Sequence, residues 1–360
     1  MNAMTRTRVA ILYGGKSVEH GVSINSARNI GQYIDTARYE PVFIGITPEG
    51  DWYHTPAVTK SIATGTPVSL RLTEKGSWVT TEGNVLQADV AFPVLHGTDG
   101  EDGSIQGLLR VMNMPMVGTG VLGSSLCMNK LAAKYMLERF QVPVVPYRII
   151  RKSETPPDFA TLVNQVGLPF MVKAANLGSS VGVSKVKAEP DYHQALADAF
   201  EYDDTVLIEE FVTAREIECA ILGNDPPQAS LPGEIVINPK YEFYTFDAKY
   251  VDPDAVAIEV PAKLSTDEAE RIRAVSLQAY RMLHCEDFAR VDLFLTKDGR
   301  VFVNEINTIP GFTNSSMYPM MWKERGINFT DLISRLIELA LARHQKSSNV
   351  NRQFNSNLKY

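Results

Sequence analysis

The fold of this chain is decided by the stretch Arg290-Val-Asp292-Leu-Phe-Leu-Thr-Lys-Asp298-Gly299-Arg-Val-Phe-Val-Asn304-Glu305-Ile-Asn307. Two runs of alternating apolar residues flank the Asp298-Gly299 pair, which is typical of a tight β-hairpin turn. A two-residue turn at this pair places Lys297 opposite Arg300. Their like charges do not help the register, although water screens them beside an exposed turn. The stretch therefore predicts a β-hairpin.

Counting outward from that turn places Asp292 opposite Glu305 and Arg290 opposite Asn307. Because strand side chains alternate between faces, all four lie on one face of the hairpin. Two opposed carboxylates repel each other and weaken a sheet unless a cation lies between them. Hard oxygen ligands suit Mg²⁺, which usually binds through one or two carboxylates plus substrate phosphates. The pattern predicts a Mg²⁺–nucleotide site; the alternative is an ordinary exposed hairpin with charged pairs.

Length and composition limit the class of protein. With 360 residues, two or three domains are expected, and 44% hydrophobic and 21% charged residues are typical of a soluble globular protein. A net charge of −7 argues against nucleic acid as the main partner. The three cysteines lack a C-x-x-C pattern, which fits a reducing compartment and neither a disulfide framework nor a zinc site. Without a long apolar run or a signal peptide, we expect a cytoplasmic protein with no membrane partner.

The beginning of the chain predicts a β-α-β unit. Residues 8–13 form a nearly continuous apolar run, as in a buried parallel strand, and residues 41–46 supply a second strand. The intervening Gly15-Lys16-Ser17 is not a phosphate-binding P-loop, because Ala10 stands where that motif needs glycine. Glu19 therefore lies in the loop after the first strand, where open α/β sheets bind ligands.

Three segments have the apolar periodicity of amphipathic helices. Ser23 is a good N-cap for the first, which continues to about Ile34. Residues 266–283 predict a second. Thr330 is placed to cap the last, whose apolar stripe runs from Leu332 to Ala340.

Two further apolar strands end at candidate functional groups. His96 follows the strand at residues 89–95 and precedes an acidic, glycine-rich loop, so it is either a site residue or a structural histidine. Lys173 ends the strand at residues 168–173. The Gly/Ser loop at residues 176–184 could present backbone N–H groups to a phosphate, or it is a flexible surface loop.

The remaining patterned segments are compatible with a ligand cleft. Residues 206–222 read as a strand, a bend and a strand; the bend could hold a purine against Phe211 and Val212, or the segment is a buried hairpin. Residues 240–250 suit a loop that orders over a ligand, or a structural aromatic cluster. Residues 308–318, which leave the hairpin, are placed to supply backbone donors and hydroxyls.

Five motifs, in this order, resemble those of the D-alanine–D-alanine ligases, which are ATP-grasp carboxylate–amine ligases. They lie at residues 14–23, 96–103, 176–183, 242–250 and 304–311, and the resemblance extends from about residue 8 to residue 343. It implies an α/β and α+β chain with an N-terminal Rossmann-like domain followed by a two-domain ATP-grasp fold. The implied boundaries are 1–125, 126–217 and 218–345. Residues 346–360 are polar and rich in asparagine, and this composition predicts a disordered tail.

The resemblance implies ATP-dependent ligation of two D-alanine molecules through an acyl phosphate, with release of ADP and phosphate, for peptidoglycan precursors. It further implies ATP and two Mg²⁺ or Mn²⁺ ions as cofactors, and a homodimer. Alternatives are a D-alanyl-D-lactate or D-alanyl-D-serine ligase on the same scaffold, and a non-catalytic nucleotide-binding protein. A dinucleotide oxidoreductase is disfavoured because no G-x-G-x-x-G follows the first strand.

Roles are carried over by matched motif. Glu19 would hold the first substrate's ammonium, Arg290 and the Gly311 N–H would stabilise the oxyanion, and Glu216 would bind the ribose. The catalytic set is Glu19, Ser179, Tyr250, Arg290 and Gly311. The substrate-binding set is His96, Lys249, Ser316 and Met317. The ATP-binding set is Lys130, Lys173, Gly178, Ser180, Val181, Glu209, Glu210, Phe211, Val212, Glu216 and Asn304. The metal-binding set is Asp292, Glu305 and Asn307.

The sequence also departs from the family pattern at three positions. Gly21, Asn129 and Ala174 stand where a glutamate, an aspartate and a proline are frequent in the family, and none of these changes removes a reacting group. Tyr250, by contrast, is absent from the related ligases that make D-alanyl-D-lactate, so its presence favours D-alanine as the second substrate.

Overall fold

A computed structural model of the chain describes residues 6–73, 75–176, 178, 182–238, 240–241 and 254–350. Three β-sheets follow one another along the sequence, formed by strands within residues 7–93, 147–210 and 214–307. The described helices are α1 (His20–Tyr33), α2 (Ser104–Val111), α3 (Val121–Met128), α4 (Lys130–Arg139), α5 (Phe159–Val166), α6 (Glu189–Ala199), α7 (Thr266–Met282), α8 (Met317–Lys323) and α9 (Phe329–Ser348). No helix in these described ranges is long and apolar enough to cross a membrane.

The first sheet has seven strands in the order β6-β5-β4-β3-β2-β1-β7. These are β1 (Thr7–Gly14), β2 (Tyr39–Ile46), β3 (Trp52–Thr55), β4 (Thr66–Arg71), β5 (Ser77–Thr80), β6 (Val85–Leu86) and β7 (Val90–Pro93). The predicted β-α-β unit is present: β1 pairs in parallel with β2 and with β7. Residues 9–13 of β1 are fully buried, as their continuous apolar run predicts.

Two predicted helix caps were wrong. Helix α1 begins at His20 with Glu19 at the N-cap, so Ser23 lies inside the helix, where its buried hydroxyl accepts the Gly14 N–H at 2.8 Å. Helix α9 is capped by Asn328, whose side chain accepts the Asp331 N–H at 2.9 Å. The N-caps therefore lie four residues before Ser23 and two residues before Thr330, and only the second has a side-chain cap.

The second sheet has the order β10-β9-β11-β8 and is antiparallel throughout. Its strands are β8 (Tyr147–Arg151), β9 (Phe170–Ala174), β10 (Val183–Val186) and β11 (Thr205–Glu210). Helices α5 and α6 cover it through an apolar cluster that includes Leu162 and Tyr192. Asn129 caps α4 by accepting the Ala132 N–H at 2.8 Å. The residue that departs from the family pattern at this position therefore still performs a capping function.

The third sheet has the order β15-β14-β12-β16-β17, with β13 paired to β12. Its strands are β12 (Ala214–Leu222), β13 (Gln228–Ala229), β14 (Gly233–Ile237), β15 (Val256–Glu259), β16 (Phe288–Thr296) and β17 (Val301–Asn307). The predicted helix at residues 266–283 is confirmed as α7, which Ser265 and Glu268 begin with a capping box. The hairpin β16–β17 carries Arg290, Asp292, Glu305 and Asn307, and the face of the sheet on which they lie is called the functional face below.

The predicted two-residue turn of this hairpin was wrong. Thr296 pairs with Arg300, through the Thr296 N–H and the Arg300 carbonyl at 3.0 Å, so the loop has three residues. Gly299 adopts φ +83°, as the third residue of such loops commonly requires. The register then shifts by one residue beyond Leu293, because Asn304 is an extra residue in β17, a β-bulge.

The loop and the bulge compensate for each other. Beyond Asn304, Asp292 lies opposite Glu305 and Arg290 lies opposite Asn307, so the predicted pairing at the functional face is confirmed. The bulge also has a chemical consequence, because the adjacent residues Asn304 and Glu305 both line the same cavity. In a regular strand, neighbouring side chains point to opposite faces.

The C-terminal helices return to the first sheet. One apolar cluster joins β1, β7 and α1 to buried residues of α8 and α9, including Trp322 and Leu336. Arg343 on α9 donates to the carbonyls of Met116 and Gly118 at 2.8 and 2.7 Å. It also pairs with Asp287, which is fully buried, at 2.8 Å. The last helix therefore fixes the first sheet against the third.

The candidate active site

Two adjoining cavities, of about 250 and 260 Å³, meet at the functional face of the hairpin. The first cavity lies between the second and third sheets. The second cavity lies between the first sheet and the segment at residues 308–317. Of the residues that the structure describes, five line both cavities: Lys130, Gly178, Glu218, Arg290 and Glu305. A group transferred from a ligand in one cavity to a ligand in the other would pass along this shared wall.

The first cavity contains every residue predicted to bind ATP that the structure describes. These are Lys130, Lys173, Gly178, Glu209, Glu210, Phe211, Val212, Glu216 and Asn304. Ser180 and Val181 lie outside the described residues. Lys130 and Lys173 lie on the side of the cavity next to the hairpin, close to Glu305 and Asn304. The connection from β11 to β12 contributes Phe211 and Val212. The ammonium of Lys185 lies 3.6 Å from the centroid of the Phe211 ring, a cation–π contact.

The second cavity contains the predicted catalytic and substrate-binding residues that are described: Glu19, His96, Arg290, Gly311, Ser316 and Met317. Ser179, Lys249 and Tyr250 lie outside the described residues, as does most of the predicted covering loop at residues 240–250. The Ser316 hydroxyl accepts the Thr313 N–H at 3.0 Å, which places it beside Gly311. Polar groups from the first and third sheets thus converge on one cavity.

The charges on the hairpin face are closely paired. Arg290 donates from Nε and Nη2 to the two carboxylate oxygens of Asp292, both at 2.7 Å, and its Nε lies 3.0 Å from Glu218. The Asn307 amide donates to Asp292 at 2.8 Å. Lys130 Nζ lies 3.7 Å from a carboxylate oxygen of Glu305. The Asp292 and Glu305 side chains are only 15% and 24% exposed, so the alternative of an ordinary exposed hairpin was wrong.

The donor set fits a hard divalent cation. Asp292 and Glu305 supply carboxylate oxygens, and Asn307 adds an amide oxygen, which are the ligand types that Mg²⁺ prefers. Within the described residues, no three His, Cys, Asp or Glu side chains cluster as a metal site. Two carboxylates and one amide oxygen suit an ion that completes its shell with water and ligand phosphates, and they do not suit a structural zinc ion.

A buried carboxylate lies beneath the first cavity. Glu209 is 3% exposed, and its two oxygens contact Lys173 Nζ at 2.6 Å and Lys134 Nζ at 3.1 Å. Burial alone would raise the pKa of Glu209, but the charges of the two lysines lower it to about 2. Lys173 also donates to the Asn304 side chain at 3.4 Å. The Glu209 carboxylate is therefore an ion-pair centre that sets the position of Lys173.

Lys134 was absent from the sites predicted from the sequence. Its side chain is 4% exposed and donates to the Val145 carbonyl at 3.2 Å. Burial lowers its pKa, although the Glu209 carboxylate opposes that shift. Its position four residues after Lys130 on α4 puts both lysines on one helix face, and this was the signal that could have identified it.

His96 is fully engaged with protein groups. Its Nδ1 donates to the Ile309 carbonyl at 2.8 Å, and its Nε2 lies 3.0 Å from the Ser26 hydroxyl. Burial lowers its pKa, so the neutral ring is favoured, with Nε2 accepting from Ser26. Of the two interpretations left open by the sequence, the contacts favour a structural histidine, although its side chain lines the second cavity.

Glu101 was also missed as a site residue. Its carboxylate accepts the N–H groups of Gly97 and Ile309, both at 2.9 Å. Burial and the nearby charge of Glu19 raise the pKa of Glu101 to about 8. Gly97, with φ +76°, is required here, because a Cβ atom would lie 2.8 Å from a carboxylate oxygen of Glu19. The usable signal was an acidic residue in a glycine-rich loop directly after a parallel strand.

Comparison with known proteins gives one family along most of the chain. A model of the D-ala D-ala ligase N-terminus matches residues 8–119, and a model of the D-ala D-ala ligase C-terminus matches residues 136–338. The chain is 47% identical over 353 residues to D-alanine--D-alanine ligase A from Chromobacterium violaceum, which covers 94% of this chain and 96% of that protein. It is 45% identical over 356 residues to D-alanine--D-alanine ligase A from Escherichia coli, covering 95% and 97%.

Solved structures agree with these matches. The D-alanine-D-alanine ligase from Coxiella burnetii superposes with a TM-score of 0.86 at 37% identity, covering 95% of this chain and 96% of that one. The VanG D-Ala:D-Ser ligase from Enterococcus faecalis superposes with a TM-score of 0.82 at 30% identity, covering 93% and 100%.

Proposed function

This chain belongs to the D-alanine–D-alanine ligase family and has its ATP-grasp fold, and on that premise we propose how its residues share the reaction. The enzyme is an ATP-dependent ligase that joins two D-alanine molecules for peptidoglycan synthesis. The observation that carries the residue assignment is the pair of cavities that share one charged wall. We assign ATP to the first cavity and the two D-alanine molecules to the second.

In the first step, the carboxylate of the first D-alanine attacks the γ-phosphorus of ATP, and ADP leaves. Lys130 and Lys173 neutralise phosphate charge, which is the main requirement of phosphoryl transfer. Phe211 and Val212 contact the adenine, and Glu216 accepts hydrogen bonds from the ribose. Glu19, at the N-cap of α1 in the second cavity, holds the ammonium of the first D-alanine.

In the second step, the deprotonated amine of the second D-alanine attacks the acyl carbon, and the tetrahedral intermediate expels phosphate. Arg290 and the Gly311 N–H stabilise its oxyanion, a contribution that is typically a few kcal/mol. Ser316, together with Lys249, binds the carboxylate of the second D-alanine. Ser179 and Tyr250 complete with Glu19 the network that closes the site against water, which would hydrolyse the acyl phosphate.

Asp292, Glu305 and Asn307 are the residues that would hold Mg²⁺ or Mn²⁺, as two ions. When bound, the ions would neutralise charge on the ATP phosphates. Glu305→Gln keeps the size of the side chain and removes one charge, so Mg²⁺-dependent turnover should fall at least a hundredfold while the fold is retained. Initial rates measure the turnover, calorimetric titration measures the binding of Mg²⁺–ATP, and circular dichroism is the control for folding. Turnover like that of the wild type would contradict the assignment.

Coupled phosphate release tests the choice of substrate. D-Alanine alone should support turnover, and added D-lactate or D-serine should not increase it. Absence of turnover with D-alanine alone would overturn the function. A non-catalytic nucleotide-binding protein would instead bind ATP without releasing ADP in response to any of these substrates. Tyr250→Phe should weaken the discrimination between amine and hydroxyl acceptors.

We also propose, from the resemblance to the family, that the enzyme is a homodimer in the cytoplasm. Light scattering across a concentration series would give the mass of two chains if this is correct. A constant mass of one chain would exclude the dimer.

A further inference from the structure

The segment from Ile309 to Phe312 carries the Gly311 N–H, and its flanking residue Ile309 is held by the N-terminal domain. The Ile309 N–H donates to the Glu101 carboxylate at 2.9 Å. The Ile309 carbonyl accepts from His96 Nδ1 at 2.8 Å. Both peptide groups of one residue are thus fixed by side chains that lie more than two hundred positions earlier in the chain.

The other end of the segment is held by Ser26 on α1. Its hydroxyl oxygen accepts the Phe312 N–H at 3.3 Å, and its proton points to His96 Nε2, which lies 3.0 Å away. Ser26 and Phe312 are both fully buried. A protein partner is therefore needed for each polar group, because water does not reach them.

Gly311 lies between these two anchors. Proline at position 310 has a fixed φ, but glycine at 311 is the residue type with the greatest backbone freedom. Without anchors on both sides, the direction of the Gly311 N–H would be poorly defined. An oxyanion donor has to point at the position where charge develops, and a displacement of about 1 Å can reduce the rate about a hundredfold.

We propose that Ser26 and Glu101 are positioning residues for the second chemical step: they hold the Gly311 N–H in line with the oxyanion of the tetrahedral intermediate. The proposal rests on the proposed role of Gly311. Neither side chain is assigned to a reacting atom. Their contribution is made from the N-terminal domain, whereas the donor belongs to the C-terminal part of the chain.

Ser26→Ala tests this proposal, with Ser23→Ala as a matched control. Both serines lie on α1 and are fully buried, but the Ser23 hydroxyl bonds Gly14 and Val94, both within the first sheet region. Ser26→Ala should lower kcat for dipeptide formation by about tenfold to a hundredfold. The KM for ATP should stay unchanged in both variants, and Ser23→Ala should keep the kcat of the wild type while losing thermal stability.

Two measurements separate the chemical steps. Isotope scrambling within ATP labelled with heavy oxygen between the β- and γ-phosphorus atoms reports acyl phosphate formation, and it should persist in Ser26→Ala. A phosphinate analogue of D-alanyl-D-alanine carries an anionic oxygen on a tetrahedral centre. Its affinity should fall in Ser26→Ala by the same factor as kcat, and it should not change in Ser23→Ala.

Glu101→Gln gives a second, independent test, because a glutamine amide has one acceptor oxygen, whereas the two oxygens of Glu101 accept two N–H groups. Asp102→Asn is its control, since the Asp102 side chain accepts the N–H groups of Asp99 and Ser104 within the same loop. The proposal is overturned if Ser26→Ala and Glu101→Gln lose only thermal stability, as their controls do, while the wild type makes the dipeptide. A wild type that makes no dipeptide would instead overturn the proposed function itself.

Discussion

At the scale of single residues, the position of Lys173 depends on Lys134, a buried lysine that does not line the first cavity. Glu209 is shared between Lys173 and Lys134, so the three groups together carry one net positive charge. Because Lys134 neutralises part of the negative charge of Glu209, part of the positive charge of Lys173 can neutralise a phosphate. With Lys134 removed, Lys173 would be the main partner of a buried carboxylate.

Lys134→Met should therefore raise the KM for ATP severalfold and leave the KM for D-alanine unchanged. It should also lower the free energy of unfolding by about 3 kcal/mol, because a buried ion pair loses one partner. Urea denaturation and initial rates measure the two effects. Lys152→Met, at an exposed lysine directly after β8, is the control and should change stability by less than about 0.5 kcal/mol. Equal effects in the two variants would contradict the role of Lys134.

Glu101 should make the stability of the protein depend on pH. Its pKa rises from 4.5 to about 8 on folding, so between these values the folded state binds more protons than the unfolded state. Stability contributed by this group is therefore lost as pH rises, by at most about 1.4 kcal/mol per pH unit. The lowered pKa of His96 acts in the opposite direction, but only below its ordinary value of 6.5.

The wild type and Glu101→Gln are best compared above about pH 7, where the opposing effect of His96 is absent. There the free energy of unfolding of the wild type should fall towards pH 8, whereas that of Glu101→Gln should fall less. Urea titrations at a series of pH values give the slopes. Parallel slopes for the two proteins would show that Glu101 titrates in its ordinary range.

Residues differ in how well the sequence predicts them. Strand periodicity indicated that Asp292 and Glu305 share a face, whereas their direct pairing was counted from a turn whose error the bulge at Asn304 cancels. The roles of Lys134 and Ser26 could not be predicted, because they depend on partners from distant segments, Glu209 and Phe312. The spacing from Lys130 marked Lys134 only as a residue on the same helix face, and Ser26 has no comparable local signal.

At the scale of elements, the hairpin β16–β17 shows why a correct register can follow from a wrong turn. The loop is one residue longer than the Asp-Gly pair predicts, and the bulge at Asn304 adds one residue to β17. The two errors cancel at Asp292 and Glu305. Alternation of apolar residues is insensitive to such a compensated shift, so neither the loop length nor the bulge could be read from the sequence.

Deletion of Asn304 should straighten β17 and leave Asp292 opposite Glu305, because the bulge is one inserted residue. Lys173 then loses its contact with the Asn304 side chain. The KM for ATP should rise severalfold, to the same value as in Asn304→Ala, while the dependence on Mg²⁺ is retained. Initial-rate kinetics with varied ATP and Mg²⁺ provide the measurement. Loss of Mg²⁺ dependence in the deletion alone would mean that the register was not preserved.

At the scale of the whole molecule, Arg343 connects the last helix to the first and the third sheets. It contacts the Met116 and Gly118 carbonyls, Glu286 and the fully buried Asp287. Arg343→Met should lower the free energy of unfolding by about 3 kcal/mol, because the buried carboxylate loses its cationic partner. Urea denaturation measures the loss. Arg335→Met, at an exposed position of the same helix, should be nearly neutral; an equal loss there would contradict the argument.

The order of the three sheets followed from the sequence through its strand patterns and family motifs. Their packing did not. Nothing in the periodicity of residues 329–348 indicates that this helix packs on α1 and β7, because an apolar stripe shows only that one face is buried. The shared wall of the two cavities is likewise a property of packing between distant segments.

Because the last helix packs on the first sheet, the apolar core of that sheet can be completed only late in synthesis. On the ribosome the N-terminal strands emerge first, and domains generally begin to fold in that order. Here the apolar cluster over β1, β7 and α1 stays incomplete until residues 317–340 have been translated, because Met321, Trp322, Leu332 and Leu336 cover it. The nascent chain therefore carries an uncovered apolar surface through most of its elongation, which is the interval in which a chaperone that recognises such surfaces would bind it.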